Sequence, residues 1–353
     1  MNVLVSQVVP RSVVSKLGVS QAANNFCFNL FENNCFSEMV SFVPNNVTYK
    51  IDNDFDDGVK YFQCRRFRHV GFGFSLNILI TSFQIASYLS KKEKIWFYNV
   101  SPSNFLAILI LRLFFRKNVY IIMADYTPTK KKCSIQYFLG EIIKSTRGIV
   151  SLSGRTVFNH HNFKVKAGIT PISTISKETV DCINDRSFLL SGRLDDSTGL
   201  DLAIDVFKEL PEIELYITGN MSQKYLEKIS RIQNIQYLGN MGYEDFMKIL
   251  TSVPISLSLR NPEYRKNENN FPSKILEAFA QNRIVLSSVE YSEIEDFKYF
   301  ICKYSFDSLT EVVNSIVKMP EEKLLIYTNH KESLKLNFSE FAWQQIVKEV
   351  ETK

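Results

Sequence analysis

The sequence is poor in the residues from which metal sites and disulfide frameworks are built. It has 4 histidines and 6 cysteines among 353 residues, and no two cysteines are spaced as Cys-x2-Cys. A zinc site or a set of disulfides is therefore not expected, and reduced thiols are the simplest interpretation. The Asp52-Asn53-Asp54 pattern lies in an acidic turn and is interpreted as a solvated loop, while the adjacent His160 and His161 are expected at the surface. No metal cofactor is predicted.

The sequence also lacks a long apolar run. No segment reaches the roughly 18 consecutive apolar residues that a membrane span needs. The strand-like N-terminal run that Pro10 ends is too short and wrongly flanked for a signal peptide. Hydrophobic residues make up 45% and charged residues 22%, which is ordinary for a soluble globular protein. The expectation is a cytoplasmic protein of two domains.

Charges of the two signs are unevenly distributed along the chain. Residues 1–170 carry 21 Lys and Arg against 9 Asp and Glu, a net charge of +12. The remainder carries 21 against 28, a net charge of −7. Two halves of opposite charge support two domains with different partners. The basic half could face an anionic membrane surface or an anionic acceptor, and solvated surface charge is the alternative.

Short apolar runs alternate with helical patterns in both halves, which predicts two α/β domains with parallel sheets. The first half has predicted strands over residues 3–9, 39–43, 95–100, 119–124 and 148–153, and predicted helices over 20–31 and 103–116. The second half has predicted strands over 188–192, 214–218, 255–259 and 284–288, and predicted helices over 201–210, 243–250, 273–280, 309–317 and 339–350. A linker is predicted near residues 167–187. Because such sheets bind ligands beyond the carboxyl ends of their strands, functional residues are sought there.

The segment 269–288, NNFPSKILEAFAQNRIVLSS, combines a loop, a helix start, a short helix and a buried strand. Pro272 suits the beginning of a helix, and the N–H groups of the first turn attract phosphate. Ser273 and Lys274 add a hydroxyl and a positive charge there, and Glu277 offers a carboxylate that can accept from vicinal hydroxyls. Each residue alone is also typical of an ordinary helix start. Together they suit a nucleotide sugar.

Arg193 follows the predicted strand 188–192 directly. Gly192 lets the chain turn sharply off that strand, so the guanidinium is expected to project beyond its end. There it can clamp a diphosphate and stabilise its departure. A surface arginine in a loop is the alternative, and the helix start at Ser273 and Lys274 favours phosphate binding.

Asp125 follows the predicted strand 119–124 in the first half. A carboxylate at such a strand end could orient an acceptor hydroxyl. A turn residue shortly before Pro128 is an equally good interpretation.

Several segments, taken together, resemble a known family. They are GRL…GLDLAIDVFKEL, LYITGN, IQYLGNMGYEDFMKIL and NNFPSKILEAFAQNRIVLSS in the second half, and GVSQA (18–22), VKAGITP (165–171) and SEFAWQQIVKEV elsewhere. In order and spacing they resemble retaining GT-B glycosyltransferases of glycosyltransferase family 4. The resemblance implies two Rossmann-like domains facing across a cleft, over residues 1–168 and 169–336, with residues 337–353 crossing back to the first domain.

The resemblance also implies roles for matching positions. Arg193 would contact the donor diphosphate, and Ser273 and Lys274 would lie near the phosphates. Gly18 would lie close to the phosphate and the sugar. Glu277 would match the second Glu of the family's Glu-x7-Glu motif and bind the donor ribose.

Two positions depart from the family pattern. Asn269 stands where the first Glu of Glu-x7-Glu is expected, and it carries no negative charge for a developing oxocarbenium ion, whereas Glu268 is one residue away. Thr198 stands where a diphosphate-binding lysine is expected. Arg193 and Lys274 would then be the main cations at the leaving group. These departures favour, as an alternative, a catalytically inactive binding or scaffold subunit.

Basic and aromatic residues are interleaved in the first half, a composition typical of a surface that meets an anionic bilayer. The segments are Arg65-Arg66-Phe67-Arg68, Lys91-Lys92 with Lys94, Arg112 with Arg116-Lys117, and Lys130-Lys131-Lys132. For Phe114 and Phe115, packing in the core is the alternative. A nucleic-acid surface is the weaker alternative, and nucleic acid is not predicted as a partner.

The prediction is therefore a metal-independent retaining glycosyltransferase with a nucleotide-sugar donor. Its acceptor is expected to be a glycan, lipid-linked, in the synthesis of a capsule-like or O-antigen-like surface polysaccharide. The protein is expected at the inner face of the cell membrane. The candidate catalytic residues are Arg193, Lys274, Asn269 and Asp125.

Overall fold

The chain folds into two compact units. The computed structural model describes residues 2–14, 21–43, 55–63, 72–102, 104–124, 126, 129, 134–155, 158–180, 182–183, 185–264, 267 and 269–353. The first unit comprises Met1–Ile169 together with Glu340–Lys353, and the second comprises Thr170–Ser339.

The first unit contains an eight-stranded sheet with the order β3-β4-β2-β1-β5-β6-β7-β8. All neighbouring strands are parallel except the β3–β4 pair. The strands are β1 (Asn2–Ser6), β2 (Glu38–Val43), β3 (Phe55–Asp56), β4 (Val59–Gln63), β5 (Lys94–Tyr98), β6 (Asn118–Met123), β7 (Gly148–Ser151) and β8 (Phe163–Val165). The central strands are apolar throughout because helices cover both faces of the sheet.

Five helices of the described chain belong to this unit: α1 (Gln21–Glu32), α2 (Phe72–Leu89), α3 (Phe105–Leu113), α4 (Ile135–Lys144) and α12 (Glu340–Thr352). Alternate residues of β5 show how the two faces are used. Trp96 packs in the core on the face of α1 and α12, whereas Ile95 and Phe97 pack with α2, α3 and α4. This is the period of two expected of a strand buried on both sides.

The C-terminal helix α12 contacts α1, β7 and β8 of the first unit. Trp343 is fully buried, and its indole N–H donates to the carbonyl of Gly168. The carboxylate of Glu351 accepts from Trp96 Nε1 at 2.9 Å and pairs with Lys94 Nζ at 2.9 Å. The prediction that the last helix returns to the first domain is confirmed.

The second unit contains a six-stranded parallel sheet with the order β11-β10-β9-β12-β13-β14. Its strands are β9 (Phe188–Leu194), β10 (Leu215–Met221), β11 (Ile235–Tyr237), β12 (Ile255–Ser258), β13 (Ile284–Ser287) and β14 (Phe300–Ile301). Its helices are α5 (Leu200–Lys208), α6 (Gln223–Ile229), α7 (Tyr243–Ser252), α8 (Ser273–Ala280), α9 (Phe306–Lys318), α10 (Glu321–Leu325) and α11 (Lys331–Phe338).

Some predicted boundaries differ from the structure for local reasons. The strand predicted over 3–9 ends at Ser6, because the side chain of Asn24 bonds both the N–H and the carbonyl of Val9 and takes them out of the sheet. The helix predicted over 103–116 ends at Leu113, and Arg116 adopts a left-handed conformation with φ of 51° before β6 begins. Ser103, the first residue of the predicted helix, lies outside the described residues.

Among the described helices of the first unit, α2 and α4 were not predicted from the sequence. Helix α2 has no charged residue in its 18 positions, so it shows no amphipathic pattern. Helix α4 begins at an N-cap, Ser134, whose side chain accepts from the N–H of Tyr137.

Candidate functional site

The candidate site lies at the carboxyl edge of the second sheet, around the ends of β9, β12 and β13. Arg193 lies near the end of β9 and Lys274 in the first turn of α8. The pairing of Leu257 with Leu190 aligns β12 with β9, and Arg260 and Arg193 each follow that pair by three residues. This is the edge where parallel sheets of this kind bind ligands.

Two glycines allow close packing at this edge. Strand β10 was predicted to end before Gly219, but it continues to Met221 and pairs Gly219 with Gly192. A Cβ at Gly219 would lie 1.9 Å from the carbonyl oxygen of Gly192. Gly192 has φ of 110°, and a Cβ there would lie 2.8 Å from Cε of Lys274. A side chain at either position would therefore displace part of the site.

Lys274 reaches across the end of β9. Its Nζ donates to Ser191 Oγ at 3.2 Å and lies 4.4 Å from the ring centroid of Phe246. Burial lowers the pKa of Lys274, with Arg260 lowering it further and Glu277 opposing the change. In the described chain Lys274 forms no salt bridge with a carboxylate.

The first turn of α8 is open to a ligand. Pro272 precedes it, no side chain caps it, and no acidic residue lies in the first turn. The N–H of Ile275 donates to the carbonyl of Pro272. Those of Ser273 and Lys274 have no acceptor among the described residues. These two N–H groups and the helix dipole favour an anion at this end. Ser273 begins the helix, as the sequence predicts.

Glu277 lies one turn further along α8. Burial raises the pKa of its carboxyl, and the positive charge of Lys274 opposes that rise. Within the described residues its carboxylate accepts no hydrogen bond. A partly buried carboxylate of this kind gains stability from a ligand that donates hydroxyl groups.

Arg193 is 73% exposed, and its Nε donates to the carboxylate of Asp195. Arg193 lies within β9, where it pairs with Asn220, so the predicted turn off the strand at Gly192 was wrong. Its side chain is exposed, and the carboxylate of Asp195 already balances part of its charge. Thr198 has a structural role, because its hydroxyl donates to the carbonyl of Arg193 at 2.6 Å and accepts from the N–H of Asp195. This capping box closes the turn after β9.

Sequence reasoning missed Asn267, which joins the loops after β9 and β12. Its Nδ2 donates to the carbonyl of Ser197 at 2.7 Å and to that of Asn261 at 2.8 Å. Nearby, the hydroxyl of Tyr264 donates to Asp196 at 2.9 Å. Asn267 is buried. The sequence alone could not single it out, because Asn269 and Asn270 lie close to it and look the same.

Asn269 follows in the same loop and is partly exposed. It places a neutral amide before α8. Two other predicted site residues, Gly18 and Asp125, and the neighbouring Glu268, lie outside the described residues. Across the described ranges, the side chains of His, Cys, Asp and Glu form no group of three that could hold a metal ion.

The structure is similar to several solved structures, glycosyltransferases among them. HepE of Anabaena, in complex with UDP, has 13% identity, a TM-score of 0.73 and complete coverage of both chains. A glycosyltransferase of Rickettsia africae has 13% identity and a TM-score of 0.70, with 100% of this chain and 99% of that chain covered. An α-glucosyltransferase in complex with UDP and DNA has 11% identity and a TM-score of 0.66, with 100% of each chain covered.

The chain has the GT-B fold. The predicted fold class is therefore confirmed. By sequence, no protein-family model and no curated protein matches the chain. Membership of glycosyltransferase family 4 stays a prediction, as do the roles of the individual site residues.

Proposed function

We propose that this protein is a retaining glycosyltransferase that transfers a sugar from a uridine diphosphate sugar to a glycan acceptor. The observation that carries the proposal is the start of α8, where an open helix N-terminus, a cation and an unbonded carboxylate lie within two turns. Two proteins with similar structures were solved with UDP, which supports uracil as the base of the donor nucleotide.

In this proposal, one set of groups binds the diphosphate of the donor and another binds its hydroxyl groups. The N–H groups of α8, Lys274 and Arg193 would stabilise the departing diphosphate, and such preorganised groups act most strongly on charge that develops in the transition state. Glu277 would accept from the ribose hydroxyls. In the family resembled, the acceptor attacks on the face that the diphosphate leaves, and the diphosphate helps to take its proton.

Nucleotide binding tests this proposal directly. UDP should raise the unfolding temperature of the protein, and Glu277→Gln should reduce that shift because the amide nitrogen cannot accept from a hydroxyl. Glu227→Gln, an exposed change on α6, is the matched control and should leave the shift intact. The absence of any shift with UDP, GDP or ADP for the unmodified protein would exclude the proposal.

We also propose that the acceptor is lipid-linked and that the first unit meets an anionic bilayer. Helices α2, α3 and α4 lie side by side on one face of the first sheet. Their outward side and the residues that follow α3 expose large apolar side chains: Leu79, Ile80, Phe83, Leu113, Phe114, Phe115, Ile135 and Phe138. We call this set the apolar face. Large apolar side chains exposed on one face of a unit are typical of an interaction surface.

Charge favours a bilayer as the partner of the apolar face. Arg112, Arg116 and Lys117 lie in or beside the exposed end of α3, and within the described chain none of them pairs with an acidic residue. Cations beside inserted aromatic rings are attracted to anionic headgroups. In the described residues, no helix is long and apolar enough to cross a membrane.

A catalytically inactive binding subunit is the second candidate. Asn269 motivates it, because the amide supplies no negative charge before α8 where the family pattern has a carboxylate. Sugar transfer detected in membranes with a panel of nucleotide sugars, and lost in Glu277→Ala, would exclude this candidate.

A further inference from the structure

A second arginine at the candidate site was not predicted from the sequence. Arg260 follows β12, which lies between β9 and β13 in the second sheet. Its N–H donates to Ser288 Oγ at 2.7 Å, and the same hydroxyl donates to its carbonyl at 3.3 Å. These two bonds fix the backbone of Arg260 to the chain that follows β13.

Within the described residues, neither a hydrogen-bond acceptor nor a carboxylate balances the guanidinium of Arg260. Its Nε is buried and has no hydrogen-bond acceptor among the residues that the structure describes. In the part of the chain that the structure describes, no carboxylate pairs with it. The pKa of Lys274 is lowered chiefly by burial, and the positive charge of Arg260 lowers it further. Burying a donor without a partner beside a second cation costs free energy, so an anion would complete this arrangement.

The other residues of the site supply little free positive charge. Arg193 is already paired with Asp195, and Thr198 carries no charge and uses its hydroxyl to close the turn. A nucleoside diphosphate brings more negative charge than one lysine and one half-balanced arginine supply. We infer that Arg260 binds the phosphate oxygens of the donor diphosphate, as the cation that compensates for the uncharged Thr198. This inference rests on the proposed function.

Three ligands separate phosphate recognition from a merely structural role. Affinities for UDP, UMP and uridine would be measured by titration calorimetry with the full chain. Arg260→Ala should lower the affinity for UDP by roughly 10- to 100-fold, the range for a hydrogen bond to a charged group. The affinity for uridine should stay unchanged, since uridine carries no phosphate. The affinity of Arg260→Lys for UDP should be intermediate, because lysine keeps the positive charge but cannot donate two parallel hydrogen bonds as a guanidinium does.

One control variant and one stability measurement complete the design. Arg231→Ala, an exposed arginine elsewhere in the second unit, should bind all three ligands like the unmodified protein. Without ligand, Arg260→Ala should unfold at the same or a higher temperature, because it removes an unsatisfied buried donor and a repulsion with Lys274.

The outcomes are distinguishable. If the unmodified protein binds UDP and Arg260→Ala binds it equally well, Arg260 does not contact the diphosphate. An equal loss for UDP and uridine, with a lower unfolding temperature, would show a structural role and overturn the inference. No UDP binding by the unmodified protein would overturn the proposed function and this inference with it.

Discussion

At the scale of single residues, the site depends on positions where a side chain is absent or uncharged. Gly192 and Gly219 allow β9 and β10 to continue past the point where Lys274 crosses. Thr198 is uncharged, and its hydroxyl closes the turn after β9 by donating to a backbone carbonyl. The two glycines explain why Lys274 reaches Ser191. The uncharged Thr198 means that other residues must supply positive charge for a diphosphate.

Gly192→Ala should weaken nucleotide binding by moving Lys274. The new Cβ would lie 2.8 Å from Cε of Lys274, the flexible end of a side chain, so Lys274 should shift. The left-handed backbone should itself cost about 1–3 kcal/mol. Gly239→Ala is the matched control, because Gly239 has φ of 80° with no atom within 4 Å of its Cβ.

Chemical denaturation and UDP titration of both glycine variants would check this prediction. Both variants should lose stability, and only Gly192→Ala should lose affinity for UDP. Equal UDP affinities in the two variants would show that the position of Lys274 does not depend on Gly192.

At the scale of elements, α12 is held to the first sheet by a buried polar contact as well as by Trp343. The side chain of Glu351 is 8% exposed and accepts from Trp96 Nε1 and from Asn2 Nδ2 at 3.2 Å, in addition to its ion pair with Lys94. A buried carboxylate bonded on both oxygens fixes the helix in one position.

Glu351→Gln should destabilise the protein by about 1–3 kcal/mol, because the amide nitrogen would face the ammonium of Lys94. The free energy of unfolding in urea measures this loss. Glu349→Gln is the control. Glu349 lies on the exposed side of the same helix and pairs with Lys164 of β8, and such surface pairs contribute little to stability. Equal effects of the two changes would show that burial of Glu351 has no part in docking α12.

At the scale of the whole molecule, one face of the first unit carries exposed apolar residues, and the cations beside Leu113 and Phe114 pair with no acidic residue of the described chain. Leu113 is 68% exposed and Phe114 is 77% exposed. Burial of one such side chain contributes about 1.5–3 kcal/mol, and each nearby cation about 1 kcal/mol at an anionic bilayer.

The double change Leu113→Glu and Phe114→Glu should abolish sedimentation of the protein with phosphatidylglycerol-containing vesicles. Phe341→Glu is the control, because Phe341 is 63% exposed on α12, which packs on the other face of the first sheet. Binding of the unmodified protein should fall with added salt and with neutral vesicles. Unchanged vesicle binding in the double variant, or self-association through the same residues in ultracentrifugation, would contradict a bilayer as the partner.

The sequence alone determined the two α/β units and the principal strands, because buried parallel strands must be apolar and their flanking turns carry Gly and Pro. It also located α8, with Ser273, Lys274 and Glu277, since a helix start is a local pattern. Only the tertiary structure decided which neighbours these residues have. Arg260 and Asn267 acquire their positions from strand order and loop contacts, and the pairing of Arg193 with Asp195 depends on a turn that Thr198 closes. Burial, which shifts the pKa of Lys274 and Glu277, results from packing between distant segments and has no local signal.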